Sequence, residues 1–99
     1  MDKNTYHIFF SKLSNQLRIN IISSLDKEPK SVSQLSKELN IEQSKLSHAL
    51  RELRECNIIK FEQKGKKRIY SLSETIIPIL RLIDCHGKTC CAECRGCKK

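Results

Sequence analysis

The chain has 99 residues, enough for one small domain, and its 19 Lys and Arg against 11 Asp and Glu give a formal net charge of +8. Its three Gly and two Pro exclude collagen-like and low-complexity chains. No apolar run approaches the length of a membrane span, and the first residues lack the apolar stretch of a secretory signal. We therefore expect a cytoplasmic protein that has no contact with a membrane.

The first two predicted elements are amphipathic helices. Apolar residues at positions 6, 9, 10 and 13 form a stripe of helical spacing, which predicts a short helix over residues 4–13. Asn15 can cap a second helix, which has Leu17 and Leu25 on its apolar face. Residues 26–30 contain a proline and are predicted to form a turn.

Two further helices with a tight joint between them predict a helix-turn-helix. Ser31 and Gln34 have the spacing of a capping box, and Asn40 tolerates the left-handed backbone with which this third helix would end. The fourth helix is predicted over residues 43–55, with leucines at helical spacing on its inner face. Asn57 is predicted to end it.

The hydrophobic period then changes from helical to alternating. Residues 58–61 and 68–72 are rich in β-branched and aromatic side chains, and the basic, glycine-containing stretch 63–67 separates them. This pattern predicts a β-hairpin with a basic tip. Residues 73–75 can cap a last helix, which is apolar nearly all round and is predicted to end at Asp84. The predicted fold is mainly α with a small β-hairpin, which is a winged helix-turn-helix.

Positive charge is concentrated in the fourth helix and the hairpin. Residues 43–68 contain eight cations and three anions, a net charge of +5 out of the chain's +8. A basic helix next to a basic hairpin is typical of a phosphate-binding surface, and Gln and Arg can read base edges through paired hydrogen bonds. The predicted contacts to double-stranded DNA are Gln43, Ser44, Lys45, Ser47, His48, Arg51, Lys64, Lys66, Lys67 and Arg68.

Four stretches resemble the ArsR/SmtB-type winged-helix transcriptional regulators. They are similar to the second helix, the first helix-turn-helix element, the recognition helix (QSKLSHALRELRE) and the wing of that family, and they span residues 13–22, 32–39, 43–55 and 64–72. The resemblance covers residues 5–84 and implies a homodimer that pairs through its first and last helices. It also implies binding to a palindromic operator and repression of transcription. Glu42 departs from the family, which has a Ser before the recognition helix.

Five of the six cysteines lie between positions 85 and 97, so they cannot form a disulfide framework for the main fold. A local cluster in a cytosolic chain indicates metal binding or thiol redox chemistry. Zinc, another thiophilic metal and an iron–sulfur cluster all suit such thiolates, and a thiol–disulfide switch is the rival without metal. Cys56 is interpreted first as a small buried hydrophobe and second as a redox partner. The candidate ligands are Cys85, Cys90, Cys91, Cys94 and Cys97.

These features predict two regions. Residues 1–84 would form a winged helix for DNA binding and dimerisation, and residues 85–99 a cysteine-rich metal- or redox-sensing tail. The predicted function is a sequence-specific transcriptional regulator, a repressor whose operator binding responds to metal, an iron–sulfur cluster or thiol redox state. The alternative is a small metal-binding or electron-transfer protein that uses the winged helix as a protein–protein module. The sequence has no catalytic set of residues that would favour an enzyme.

Overall fold

The computed structural model describes residues 3–93. Over this part of the chain five helices and a three-stranded antiparallel sheet form a winged helix-turn-helix, as the sequence predicts. The elements are α1 (Lys3–Leu13), α2 (Gln16–Lys27), β1 (Lys30–Ser31), α3 (Val32–Leu39), α4 (Gln43–Glu55), β2 (Ile59–Lys64), β3 (Lys67–Leu72) and α5 (Ile76–Glu93). Within the described residues, no helix combines the length and apolar character that crossing a membrane requires.

Local hydrogen bonds set the helix boundaries that the sequence predicts. The side chain of Asn15 accepts a hydrogen bond from the backbone N–H of Arg18 at 3.2 Å, which caps α2. The capping box of α3 is complete, because Gln34 N–H donates to the Ser31 hydroxyl at 3.3 Å and Ser31 N–H donates to the Gln34 amide oxygen at 2.8 Å. Asn40 ends α3 in the left-handed region, with φ 55°. These borders are therefore decided by neighbours in the sequence.

The inner face of α4 packs in the hydrophobic core. Leu46, Leu50 and Leu53 are fully buried in a cluster with residues of α2, α3 and the sheet. Glu42 precedes the helix and makes no side-chain capping hydrogen bond, as expected for a residue that caps poorly. Asn57 follows the helix with φ 58°, a left-handed corner that turns the chain into β2. The outer face of α4 is thus exposed on a helix whose inner face is fixed.

The sheet contains a strand that the sequence does not predict. Lys30 belongs to the predicted turn over residues 26–30, but it lies in β1, where it pairs with Tyr70 of β3. Its ammonium is buried, donates to the hydroxyl of Ser24 at 2.7 Å and pairs with the carboxylate of Glu38. A strand of two residues has no alternation to detect, and a buried lysine is rare unless it is paired. The sheet order is β1-β3-β2, so β3 is central.

The tip of the hairpin is a two-residue turn. Lys64 and Lys67 are paired across it, and Gly65 has φ +62°. Positive φ at the first central position, without positive φ at Lys66, is the arrangement of a type II′ turn. This turn matches the twist of the two strands and places three lysines at one end of the sheet. The basic tip that the sequence predicts is therefore present.

The last helix is longer than the sequence predicts. Its predicted end is Asp84, but α5 continues to Glu93 and includes the positions of Cys85, Cys90 and Cys91. The segment has no apolar periodicity to indicate a helix, yet it also has no proline, and one glycine costs a helix only about 1 kcal/mol. The separation of residues 85–99 as a functional region stays a prediction.

Large apolar side chains remain exposed on α1 and α5. No residue of α1 is buried, and the exposed side chains on these two helices include Tyr6, Ile8, Phe10, Leu82 and Ile83, with exposed fractions between 47% and 71%. Singly exposed apolar residues are ordinary, whereas a group of them on two helices marks a contact surface.

Candidate nucleic-acid interface

The outer face of α4 and the β2–β3 hairpin, here called the wing, form one continuous polar surface. All ten residues predicted to contact DNA are exposed on it. This arrangement follows from helical spacing, because burial of every third or fourth residue of α4 in the core leaves the polar positions between them outside.

Five of the ten predicted contacts meet in one place. A cleft of about 470 Å³ between α4 and β3, here called the helix–wing cleft, is lined by Ser44, Ser47, His48, Arg51 and Arg68. Its described lining contains no Asp or Glu. Hydroxyl groups and cations without a carboxylate are suited to phosphate oxygens and to the acceptor atoms of bases.

The wing forms a second, smaller cleft against the start of α3. Lys66, Lys67 and Arg68 line it together with Ser31 and Ser33, and its volume is about 250 Å³. These cations therefore extend the basic surface from α4 around to the N-terminus of α3. An exposed helix N-terminus with neighbouring cations favours negative charge.

Three predicted contacts lie outside both clefts. Gln43 is exposed at the first position of α4, and Lys64 is exposed at the tip of the wing. Lys45 lines a separate groove between α2 and α4, next to Arg18. The structure thus places these residues at the margins of the surface and not at its centre.

His48 has partners within the protein on both sides of its ring. Its Nε2 lies 2.8 Å from a carboxylate oxygen of Glu52, and Arg51 donates to its Nδ1 at 3.2 Å. Glu52 also accepts from Arg18 of α2, and the ammonium of Lys12 lies 4.0 Å away. With Nε2 protonated and donating to Glu52, Nδ1 is free to accept from Arg51. His48 is therefore placed to orient Arg51, a role that the sequence does not indicate.

Arg54 is not among the predicted contacts, although it also lines the helix–wing cleft. Its guanidinium carbon lies 4.9 Å from the centre of the Phe61 ring, and that of Arg68 lies 4.8 Å from the same centre. Phe61 in turn packs on Tyr70, with ring centres 5.6 Å apart. The signal in the sequence is an arginine one helical turn after Arg51, followed by an aromatic residue in the next strand.

Two carboxylates with shifted pKa values form ion pairs that lie outside this surface. The pKa of Asp26 is lowered because Arg81 of α5 donates hydrogen bonds to both its oxygens, at 2.9 and 3.0 Å. The pKa of Glu38 is lowered mainly by its hydrogen bond from Lys30. These pairs join α5 to α2 and β1 to α3, so they stabilise the frame that carries the basic surface.

The described residues contain no group of three or more His, Cys, Asp or Glu side chains that could hold a metal ion. Cys56 is half-buried directly after α4, and Cys85 is exposed on α5. The helix also contains the positions of Cys90 and Cys91, while Cys94 and Cys97 lie outside the described residues. The thiol site therefore stays a prediction.

Comparison with known proteins places the helix-turn-helix in a family. Residues 15–60 match the bacterial regulatory protein arsR family. A transcriptional repressor SmtB homolog from Synechocystis is 32% identical over 66 residues, which make up 67% of this chain and 50% of that protein. The chain thus spans half the length of this curated relative.

Solved structures share the fold over most of the chain. Rv0081 from M. tuberculosis is 28% identical with a TM-score of 0.75 over 82% of each chain. The transcriptional repressor BigR from Xylella fastidiosa is 26% identical with a TM-score of 0.71, over 93% of this chain and 89% of that one. The matched family is described as one of regulatory proteins, and BigR is described as a transcriptional repressor.

Proposed function

Because this chain carries a winged helix-turn-helix domain of the ArsR family, we propose that it is a sequence-specific DNA-binding regulator that represses transcription. The observation that carries the proposal is the helix–wing cleft, in which cations and hydroxyls of α4 and β3 converge without a carboxylate. A relative of the same fold is described as a transcriptional repressor, which supports the direction of regulation. We propose the cytoplasm as its location, because a regulator of this kind must reach DNA.

The proposed docking places the part of α4 between Gln43 and Arg51 in the major groove. Gln43, Ser44, Ser47 and Arg51 are exposed on this part of the helix and would face base edges. The lysines at the tip of the wing would contact the phosphate backbone beside the groove. Phosphate contacts fix the register of the protein on the duplex, while base contacts supply the sequence preference.

The proposed assembly is a homodimer on a palindromic operator. A single domain leaves the apolar surface of α1 and α5 exposed, and a second copy would cover it with the same surface. A groove of about 370 Å³ between α2 and α5, lined by Ile19, Leu80 and Ile83, continues this surface. Two recognition helices from one dimer would read two half-sites about one helical turn apart.

The proposed regulation acts through the cysteines at the end of the chain. Their thiolate donors fit zinc, another thiophilic metal or an iron–sulfur cluster, and also fit a thiol–disulfide switch. Cys85 lies on α5, the same helix that exposes Leu82 and Ile83. Metal binding or oxidation there would act directly on the proposed dimer surface and thereby on the spacing of the two recognition helices.

In the experiment, the purified full-length chain selects the duplexes that it binds from a random pool. The selection is made with reduced, metal-free protein and is repeated with protein that has been loaded with zinc or mildly oxidised. Enrichment of an inverted repeat is the expected result, with an affinity that changes between the states. Failure to enrich any duplex at low salt would contradict the proposal and would favour the alternative of a protein–protein module. Equal affinity in every state would contradict the regulatory part alone.

A further inference from the structure

We propose that Arg54 and Arg68, which share the ring of Phe61, form a seat for one phosphate of the DNA backbone between the recognition helix and the wing. The inference rests on the proposed function and adds a residue, Arg54, and a device, the shared ring, that the docking of α4 and the lysines does not require. It concerns the positioning of the two elements on DNA.

The ring holds both guanidinium groups in place before any ligand binds. Their carbons lie 4.9 and 4.8 Å from the ring centre, within the range of a cation–π contact. Phe61 is half-buried, pairs in register with Tyr70 and packs on its buried ring. A ring fixed in the sheet can therefore orient Arg54 from α4 and Arg68 from β3 at one point.

The two guanidinium groups have no carboxylate to neutralise them. Among the described side chains, Arg18 and Arg81 make ion pairs with Glu52 and Asp26, whereas neither Arg54 nor Arg68 makes one. Two like charges on one ring repel each other unless an anion joins them. The cleft that they line also lacks a carboxylate, so an incoming anion meets attraction from both sides.

The chemistry of the arginines favours a phosphate oxygen pair. A guanidinium presents a planar fork of donors that matches a phosphate through two parallel hydrogen bonds. Arg51 and Ser47 line the same cleft and are placed toward base edges in the proposed docking. The phosphate in the seat would therefore belong to the strand whose bases α4 reads, and it would fix the wing relative to the helix.

The test measures binding of a mixed-sequence duplex of about 30 base pairs, long enough for two half-sites, so that no operator has to be known. Fluorescence anisotropy at salt concentrations between about 50 and 200 mM gives the affinity and its salt slope. The variants are Arg54→Gln, Arg68→Gln, both together, Phe61→Leu and Phe61→Tyr. Lys60→Gln is the matched control, because Lys60 is the next residue on β2 and pairs with Glu74 at 3.8 Å.

Each protomer has one seat, so a variant of the proposed dimer loses two phosphate interactions, which reduces the slope by about 1.8 and weakens binding about a hundredfold at low salt. Each single arginine variant is expected to approach this reduction, and the double variant is expected not to exceed it, because one phosphate per protomer is at stake. Phe61→Leu is expected to weaken binding several-fold with no change of charge, and Phe61→Tyr to restore it. The control is expected to keep the parent slope.

The outcomes separate this inference from the proposed function. If the parent chain binds no duplex, the proposed function fails. If the parent binds and both arginine variants keep its slope, or if the slope of the double variant falls by the amount expected for about two phosphates per protomer, the shared seat is wrong. Stabilisation of the parent chain against heat by inorganic phosphate, without any slope change in the variants, would assign the cleft to a free anion and overturn the inference. Melting temperatures identify any variant that fails to fold. If the Phe61 variants do not fold, the salt slopes of the arginine variants alone test the inference.

Discussion

The surface formed by α4 and the wing differs from the surface formed by α1 and α5 in the kind of side chain that it exposes. The first exposes cations such as Arg51, Lys66 and Arg68, which make no ion pair among the described residues, and its apolar residues are buried beneath it. The second exposes large apolar side chains, and its main cation, Arg81, is paired with Asp26. An unpaired positive surface selects a polyanion, whereas an uncovered apolar surface selects another protein surface. One domain of this size therefore carries two exposed surfaces of opposite chemistry.

The largest effect is expected from changes on the apolar surface. Leu82→Glu with Ile83→Glu should yield a monomer, because both side chains are exposed in a single domain and charge would prevent their burial. DNA affinity should then fall by about 10²–10⁴-fold, the avidity contributed by the second half-site. Light scattering and anisotropy on the same samples check both results. The apolar pair Leu82→Met with Ile83→Val should remain dimeric, and a monomeric parent that binds DNA fully would contradict the prediction.

The next largest effect is expected from a base contact on the cationic surface. Arg51→Ala should lower discrimination between the preferred duplex and a single-base variant by about 1–3 kcal/mol, because it removes a paired hydrogen bond to a base. The measurement is competition between the two duplexes. Arg51→Lys retains the charge but not the planar fork, so it should also reduce discrimination. Unchanged preference in both variants would show that Arg51 does not read bases.

The variant His48→Gln tests whether His48 orients Arg51 on the same surface. Gln lacks the second ring nitrogen that accepts from Arg51 at 3.2 Å while the ring also contacts Glu52. Discrimination should fall, but by less than in Arg51→Ala, and binding to mixed-sequence DNA should stay close to the parent. An equal reduction for all sequences would instead make His48 a backbone contact.

A smaller change is expected at the tip of the wing. Lys66→Gln with Lys67→Gln should weaken binding to every sequence alike and reduce the salt slope by about 0.9 for each phosphate that the tip no longer neutralises. Anisotropy at several salt concentrations measures the slope. A change of sequence preference in this variant would mean that the tip reads bases in the groove.

The smallest effect concerns the ion pair that ties α5 to α2. The pKa of Asp26 is lowered in the folded state, so the ionised carboxylate stabilises the fold. This contribution is fully present at a pH above 3.8, the ordinary pKa of the group, and it is lost as the pH falls through the lower pKa of the folded state. Asp26→Asn should therefore lower the melting temperature slightly at neutral pH and flatten its decline in acid. Glu38, whose pKa is also lowered, remains in the variant as a second acid-sensitive pair.

Sequence signals predicted the features that depend on neighbours along the chain. The capping box at Ser31 and Gln34, the left-handed corner at Asn40 and the end of α4 before Asn57 are each set by a few adjacent residues. Helical spacing likewise predicted which side of α4 is exposed. Those signals sufficed for the fold and for most of the basic surface.

The features that the sequence did not predict depend on partners far along the chain. Strand β1 exists because Lys30 meets Tyr70, and two residues have too little pattern to indicate a strand. The role of His48 depends on Glu52, which also pairs with Arg18, 34 residues away. The contact of two arginines with the ring of Phe61 likewise depends on packing between α4 and the sheet, which a count of charges along the sequence does not record.

Strand β2 forms one margin of the sheet, because the strand order is β1-β3-β2. An open strand margin offers unpaired backbone groups to the same margin of another copy, which is a common route to aggregation. Lys60 and Lys64 are both exposed on β2 and would repel a second copy there. We therefore expect these two lysines of the wing to limit association between copies of the chain. A variant that neutralises Lys60 and Lys64 together should precipitate at concentrations at which the parent stays in solution.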